Sequence, residues 1–169
     1  SWTAPTGVTS VTVNLWGGGG EGGGLITDNT ICRGGGGAGG QFVTSEVSVT
    51  PGNSYNIVIA DLNTGSTGDG VNGHDTTFDT PTVVAKGGAG GKSYENGAAA
   101  GAGSTIGGIG DTVYAGGSGS NGGTDTTGGA GGGGAGSTGT GNNASGNTKG
   151  GSKLIGGGEG ANGRTTSGD

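Results

Sequence analysis

The chain has 169 residues, and 52 of them are Gly, whereas Gly makes up about 7% of an average protein. Leu, Ile, Val and Phe together number only 24, and 19 of these precede residue 86. So few large apolar residues exclude an ordinary domain with a single hydrophobic core. The net charge of −6 lies entirely in residues 1–85. Because Lys and Arg form no cluster and no apolar run could span a bilayer, we expect neither nucleic-acid binding nor membrane insertion.

Two longer β-strands are predicted in the first half of the chain. In residues 8–16, Val11, Val13 and Leu15 alternate with polar residues, which is the pattern of a half-buried strand. The same alternation in residues 41–49 places three Val residues on one face. Both strands are therefore expected to pack one face on a small core.

A tight turn and further strands follow in sequence. Thr50-Pro51-Gly52-Asn53 combines a Pro that fixes φ with a Gly that takes positive φ, so it predicts a turn. Residues 55–60 are the expected hairpin partner of the second strand, and shorter strands are expected at residues 76–78 and 82–85. No α-helix is expected, because no stretch combines helical periodicity with good helix formers and Gly costs about 1 kcal/mol per helical position.

The glycines recur every third residue within short runs. They fall at 17, 20 and 23, at 34, 37 and 40, at 157, 160 and 163, and from 116 to 134 with one break at Asp125. Three residues per turn is the repeat of polyproline II geometry, and Gly at every third position lets neighbouring helices approach closely. The phase resets between runs and only three Pro occur, which excludes a continuous collagen rod.

These patterns predict an all-β domain in which a small antiparallel β-structure supports a bundle of polyglycine II helices. Residues 1–86 are expected to form the β-rich portion and residues 87–169 the glycine bundle, as parts of one structural unit. Gly131 is expected to face a neighbouring helix. Composition alone is also compatible with a disordered second half.

Two glycine-rich segments resemble nucleotide-binding loops. Residues 17–22 and 86–93 approach the known fingerprints, but neither is followed by the helix that such loops require. With one His and one Cys, the chain offers no catalytic triad and no zinc ligand set. We therefore expect no enzyme, no cofactor, no catalytic residue and no metal ligand. One acidic stretch contains Asp61, Asp69, Asp75 and Asp79. Ordinary Gly/Asp turns explain it, and a calcium site is the alternative.

Large apolar residues also occur in the loops between the glycine runs. These loops comprise residues 25–33, 92–100, 104–115, 137–149 and 152–155. Packed polyglycine helices offer no core to receive such side chains, so the residues either seal the ends of the bundle or form a contact surface. The sequence favours neither role over the other.

Ordered landmarks run through residues 1–91. They are WTAPTGVTSVTVNLWGGGG at residues 2–20, GGGGAGGQFV at 34–43, VTPGNSYNI at 49–57, and DTTF at 75–78 followed by VAKGG at 84–88. This series resembles the glycine-rich domains at the ends of bacteriophage tail fibres and of related bacterial fibre proteins. The insertion of residues 25–33 departs from that pattern, and beyond residue 91 the resemblance rests on composition.

The resemblance implies an adhesin tip whose variable loops bind a bacterial outer-membrane protein or surface glycan. It also implies a fibre shaft as partner, including a homotrimeric one, and an extracellular location on a virion or cell surface. The alternatives are a purely structural fibre module and an ice-binding polyglycine protein, although the Thr residues form no regular row. The receptor-binding candidates are Leu25, Ile26, Asp28, Asn29, Ile31, Arg33, Tyr94, Ile106, Ile109, Val113, Tyr114, Lys153, Leu154 and Ile155.

Overall fold

The computed structural model describes residues 1–24, 34–65, 67–93, 98–123, 127–147, 150–151 and 155–163. Across these residues there is no helix, and eight strands form three antiparallel sheets in the orders β1-β4, β2-β3-β8 and β5-β6-β7. The all-β prediction is confirmed. The strands are β1 (Trp2–Thr3), β2 (Ser10–Trp16), β3 (Phe42–Ser48), β4 (Ser54–Tyr55), β5 (Ile57–Val58), β6 (Thr76–Phe78), β7 (Val83–Ala85) and β8 (Thr112–Tyr114).

β2 and β3 form the longest ladder of the described residues. They pair without interruption from Ser10 opposite Ser48 to Trp16 opposite Phe42. The alternation predicted for both strands is confirmed, because their Val and Leu residues face the core while the polar residues of β2 are exposed. The ladder thus provides one wall of a hydrophobic core.

The core lies between the sheet that contains β2 and the sheet that contains β7. Val43 and Val83, one from each sheet, have no exposed surface, and burying a Val side chain contributes roughly 1.5–3 kcal/mol. The short strands predicted at residues 76–78 and 82–85 are confirmed as β6 and β7. The core residues are Ala4, Val13, Leu15, Val43, Val47, Val49, Phe78, Val83 and Ala85.

The segment after the predicted turn does not form the predicted hairpin. The turn is confirmed, because the Asn53 N–H donates to the Thr50 carbonyl at 3.1 Å and Gly52 has a φ of +85°. However, the edge of β3 that faces away from β2 pairs with β8 at Phe42–Thr44 and with the Asp111 carboxylate at Glu46, so little of it remains for residues 55–60. These residues divide instead, with β4 pairing with β1 and β5 pairing with β6.

The glycine segments are joined by hydrogen bonds at every third residue. Residues 17, 20 and 23 donate to the carbonyls of residues 41, 38 and 35 at 2.8–2.9 Å, in antiparallel order. Residues 129, 132 and 135 donate to the carbonyls of residues 34, 37 and 40 at 2.7–3.1 Å, in parallel order. A repeat of three residues is that of the predicted helices. The bundle therefore contains both parallel and antiparallel neighbours.

Segment 34–41 is the centre of the bundle. Residues 35–41 are all buried, and hydrogen bonds connect the segment to segments 17–24, 86–92, 117–120 and 129–135. A Cβ on Gly36 would overlap the carbonyl group of Ala130, so the close approach of the two backbones requires Gly at this position. Main-chain hydrogen bonds thus stabilise the part of the chain that is poor in apolar residues.

Gly131 and Gly132 face different neighbours of segment 129–135. A Cβ added at Gly131 would have the amide nitrogen of Ala161 as its nearest neighbour, at 3.2 Å. A Cβ added at Gly132 would overlap the carbonyl group of Gly117. Gly131 therefore faces a neighbouring segment, as predicted, but the closest approach of segment 129–135 to another segment is at Gly132, which the period of three does not identify.

Candidate functional site

The loop of residues 104–111 presents two Ile side chains to solvent. Ile106 is 86% exposed and Ile109 is 43% exposed. A side chain that seals the end of a bundle must be buried against it, because only buried apolar surface contributes to stability. The exposure of Ile106 therefore favours a contact surface over a seal for this loop.

A buried glutamine ties this loop to the centre of the bundle. The side chain of Gln41, which is only 3% exposed, donates to the carbonyls of Ser104 at 2.7 Å and Ile106 at 3.2 Å. Its own side-chain oxygen accepts the N–H of Lys86 at 3.1 Å. Gln41 thereby connects the loop, the central segment and the strand end after β7.

Further contacts hold the rest of the loop. Ser104 Oγ accepts the N–H of Ile106 at 3.0 Å, and Asp111 Oδ2 accepts the N–H of Glu46 at 2.8 Å. Val84 and Ile109 exchange two backbone hydrogen bonds, both of 2.9 Å. A loop that is already ordered loses less conformational entropy when it binds a partner. The loop is therefore suited to present Ile106 as a preformed contact.

Ile155 is a second exposed apolar residue, and the residue that follows it lies beside an aromatic ring. It is 73% exposed, and its carbonyl accepts the N–H of Ser137 at 3.0 Å. The next residue, Gly156, has a φ of +85°, and a Cβ there would lie 2.8 Å from Cζ2 of Trp16. Gly is required here both by the backbone conformation and by the contact with the indole ring.

Val113 and Tyr114 are not loop residues, which corrects the prediction for residues 104–115. They belong to β8 and pair with Val43 and Phe42 of β3. Val113 packs against the core, and the ring of Tyr114 stacks on that of Phe42 with a centroid distance of 6.3 Å. A strand of three residues is too short to show alternation in the sequence, so it was missed.

The other receptor-binding candidates lie outside the described residues. They are Leu25, Ile26, Asp28, Asn29, Ile31, Arg33, Tyr94, Lys153 and Leu154. Of the candidates that the structure describes, Ile106 and Ile109 share one loop and Ile155 lies in another turn.

An exposed apolar segment after the first glycine region was not predicted. Ile59 is 76% exposed and Leu62 is 92% exposed, and Ile57 and Val58 of β5 are 37% and 47% exposed. The unbroken apolar run of residues 57–60 could have indicated this segment. An ordinary strand with one face in solvent alternates apolar and polar residues, and this run does not.

A groove of about 590 Å³ opens beside this segment. One wall is formed by β2, including Val11, Val13 and Leu15, and the other includes Ile57 and Ile59. The groove therefore lies between β2 and β5, where the two sheets of the core are open to solvent.

Short polar side chains replace carbonyl groups as acceptors along segment 68–75. The side chains of Asp69, Asn72 and Asp75 accept the N–H groups of residues 93, 90 and 87 at 2.8, 2.9 and 3.0 Å. Both series have a spacing of three residues. Asp69, Asn72 and Asp75 recur at every third residue, as the glycines do. This spacing could have predicted the ladder of hydrogen bonds, but the sequence analysis did not use it.

Lysine side chains add charge to the same ladder. Lys86 pairs with Asp75, and Lys92 Nζ lies 2.6 Å from Asp69 Oδ2. The hydrogen bond from Lys92, together with those from the N–H and hydroxyl of Ser93, lowers the pKa of Asp69 from 3.8 to about 2. At neutral pH the Asp69 carboxylate is therefore ionised and held in place by three donors.

These contacts concern two kinds of ligand that the sequence suggested, a nucleotide phosphate and a metal ion. In the segment that resembles a phosphate-binding loop, the N–H groups of residues 87, 88, 90, 91, 92 and 93 all donate to other protein groups. Within the described ranges, no group of three or more His, Cys, Asp or Glu residues is arranged to hold a metal ion. The same residues also contain no helix that is long and apolar enough to cross a membrane.

Comparison with known proteins identifies the family. No curated protein shows significant similarity to this sequence. A family model described as a glycine-rich domain matches residues 1–169. This match covers the β-sheets as well as the glycine segments, and the chain therefore belongs to the glycine-rich domain family.

Proposed function

We propose that the chain is the receptor-binding tip domain of an extracellular fibre, and that the loop of residues 104–111 contacts a protein or glycan on a bacterial cell. The observation that carries this proposal is the 86% exposure of Ile106 on a loop anchored by the buried Gln41. The resemblance of residues 1–91 to fibre ends supports the class of target. The fibre shaft is the expected partner.

The energetics of an exposed Ile suit a contact role. Burying an apolar side chain of this size contributes roughly 1.5–3 kcal/mol. Because Ile106 is mostly exposed in the isolated domain, it contributes little of this free energy to folding. A receptor with a matching apolar pocket would bury it without first ordering the loop. Ile155, which is exposed on another turn, is a second candidate contact.

A purely structural fibre module is the alternative, and the packing of Val113 and Tyr114 favours it. Both residues were candidates for receptor contact, yet they pair with β3 and stabilise the sheet. In a structural module, the exposed Ile residues would be replaceable without a functional effect.

The test is binding of the labelled protein to a panel of whole bacterial cells that differ in outer-membrane proteins and surface glycans. For a strain that binds, Ile106→Ser should weaken binding by about tenfold or more, which corresponds to about 1.4 kcal/mol, while the melting temperature stays unchanged. Leu62→Ser is the matched control, because Leu62 is also highly exposed, at 92%, but lies outside the loops between the glycine runs. Protease or glycosidase treatment of the cells then distinguishes a protein from a glycan receptor.

The outcomes separate the two functions. Binding that is sensitive to Ile106→Ser but not to Leu62→Ser supports the adhesin. Absence of binding to every strain, or equal binding by all variants, favours the structural module.

A further inference from the structure

β2 is an edge strand of the sheet β2-β3-β8, and its outer backbone groups have no partner among the described residues. At the two ends of its ladder with β3, the N–H of Val49 donates to the carbonyl of Thr9 and the N–H of Gly17 donates to that of Gln41, both at 2.9 Å. Hydrogen-bonded and non-bonded pairs alternate in an antiparallel ladder, so the odd-numbered residues of β2 bond to β3. The N–H and C=O groups of the even-numbered residues therefore point away from β3.

No group in the described part of the chain bonds to these outward backbone groups of β2. Edge strands of natural proteins are commonly protected by short length, Lys, Pro or a bulge. β2 has seven residues, no charge, no Pro and an uninterrupted register. By contrast, β8, the opposite edge of the same sheet, has three residues and directly follows Asp111.

Exposed apolar surface lies next to this unprotected edge. The groove of about 590 Å³ between β2 and β5 is lined by Val11, Val13 and Leu15. Across it lie Ile57, 37% exposed, and Ile59, 76% exposed. A partner at this edge would therefore gain both backbone hydrogen bonds and apolar burial.

We propose that the partner is a second copy of this chain, with β2 pairing antiparallel to β2 about a two-fold axis at Val13. The alternation of apolar and polar residues from Val11 to Leu15 reads the same in both directions. Thr12 then lies opposite Asn14 of the second copy, and their outward groups form hydrogen bonds on both sides of the axis. On the core side, Val11 lies opposite Leu15 of the second copy.

The geometry and the charge of this edge both favour self-pairing. A two-fold axis perpendicular to the sheet keeps the apolar faces of both copies on one side, so the sheet β2-β3-β8 continues into its copy as six strands. The same axis brings the two β5 segments together and covers Ile57 and Ile59. Residues 1–20 carry no charged side chain, so the net charge of −6 does not place like charges across the strand pair. Such a two-fold contact closes on itself.

The test is sedimentation equilibrium of the whole chain over a range of concentrations. The expected mass rises from that of one chain, 15.4 kDa, to that of two. Thr12→Lys, which changes an exposed side chain, should weaken dimerisation by about tenfold or more, because it places two positive charges across the axis. The matched control is Thr112→Lys, the same substitution at the opposite edge of the same sheet, which should leave the dimer intact.

A second variant tests the backbone pairing itself. Thr12→Pro removes an outward N–H but no hydrogen bond to β3, and Pro is tolerated at such edge positions. It should shift the equilibrium to monomer while the circular dichroism spectrum and melting of the monomer remain unchanged. A monomer at all concentrations, a trimer, or a dimer that tolerates both Thr12 variants would overturn the proposal. Cell binding through Ile106 is measured separately, so failure of one proposal leaves the other standing.

Discussion

Substitution of Gly132 by Ala should destabilise the domain far more than the same change at Gly131. The Cβ at Gly132 would overlap the carbonyl group of Gly117, whereas at Gly131 the nearest atom would lie 3.2 Å away. The two glycines are adjacent in one segment and neither has a positive φ. Both substitutions reduce the entropy of the unfolded chain to a similar extent, so the difference between them isolates the steric overlap.

The expected size of the effect follows from the hydrogen bonds next to Gly132. Relief of the overlap requires segments 129–135 and 117–120 to separate by about 1 Å, since non-bonded carbon contacts are favourable near about 3.5–4.0 Å. The bond from the Gly117 N–H to the Gly133 carbonyl, 2.7 Å, and that from the Ser120 N–H to the Ala130 carbonyl, 2.8 Å, would then be lost. The loss of each bond leaves groups unpaired at a cost of about 1–3 kcal/mol, so we expect a total loss of about 2–6 kcal/mol.

Urea unfolding and thermal melting measure this difference directly. For a chain of this length, the loss at Gly132 corresponds to a decrease in melting temperature of about 4–24 °C. Gly131→Ala should change the free energy of unfolding by less than about 1 kcal/mol, in either direction. Equal effects of the two substitutions, or no effect of Gly132→Ala, would show that close packing of glycine segments does not stabilise the bundle.

Three further predictions concern the polar contacts and the loop. The folded pKa of Asp69 is lower than its unfolded value, so its contribution to stability is present above about pH 4 and is lost as the pH falls towards about 2. Over this pH range, the melting temperature of Asp69→Asn should therefore decrease less than that of the unchanged protein. An identical decrease would contradict the role of the Lys92 pair. Gln41→Leu removes three part-buried hydrogen bonds to backbone groups and should cost about 2–4 kcal/mol in urea unfolding, whereas an unchanged stability would show that the loop is anchored by other contacts. Exchange of Thr105, Ile106 and Ile109 for other residues, with Gly107, Gly108 and Gly110 retained because a Cβ there would be strained or would overlap neighbouring side chains, should leave the melting temperature within about 3 °C and alter binding to cells. Unfolding of the domain would identify the loop as a structural seal.

Local chemistry in the sequence was sufficient to predict several elements. The alternation around Val13 and Val43 identified β2 and β3, and Pro51 with Gly52 identified the turn. The period of three in the glycines identified the helices of the bundle. Each of these signals depends on residues a few positions apart, because it reflects the repeat of a single strand, turn or helix.

The candidate site was predictable only in part. An apolar residue in a polar loop, such as Ile106, stood out from composition, and the structure places it in solvent. The same reasoning selected Tyr114, which the structure places in a strand against Phe42. The buried anchor, Gln41, gave no signal, because its partners Ser104 and Ile106 lie more than sixty residues away.

Composition and periodicity therefore determined the kind of element that each segment forms, and tertiary structure decided which segments are neighbours. Residues 55–60 were recognisable as extended, but they pair with β1 and β6 and not with β3, whose second edge is taken by β8 and Asp111 as far as Glu46. Gly131 and Gly132 are equivalent in the sequence, and only the position of segment 117–120 makes Gly132 the residue of closest approach. The physical reason is that strands and polyglycine helices leave their backbone hydrogen bonds to be completed by other segments, whose identity depends on the packing of the whole chain.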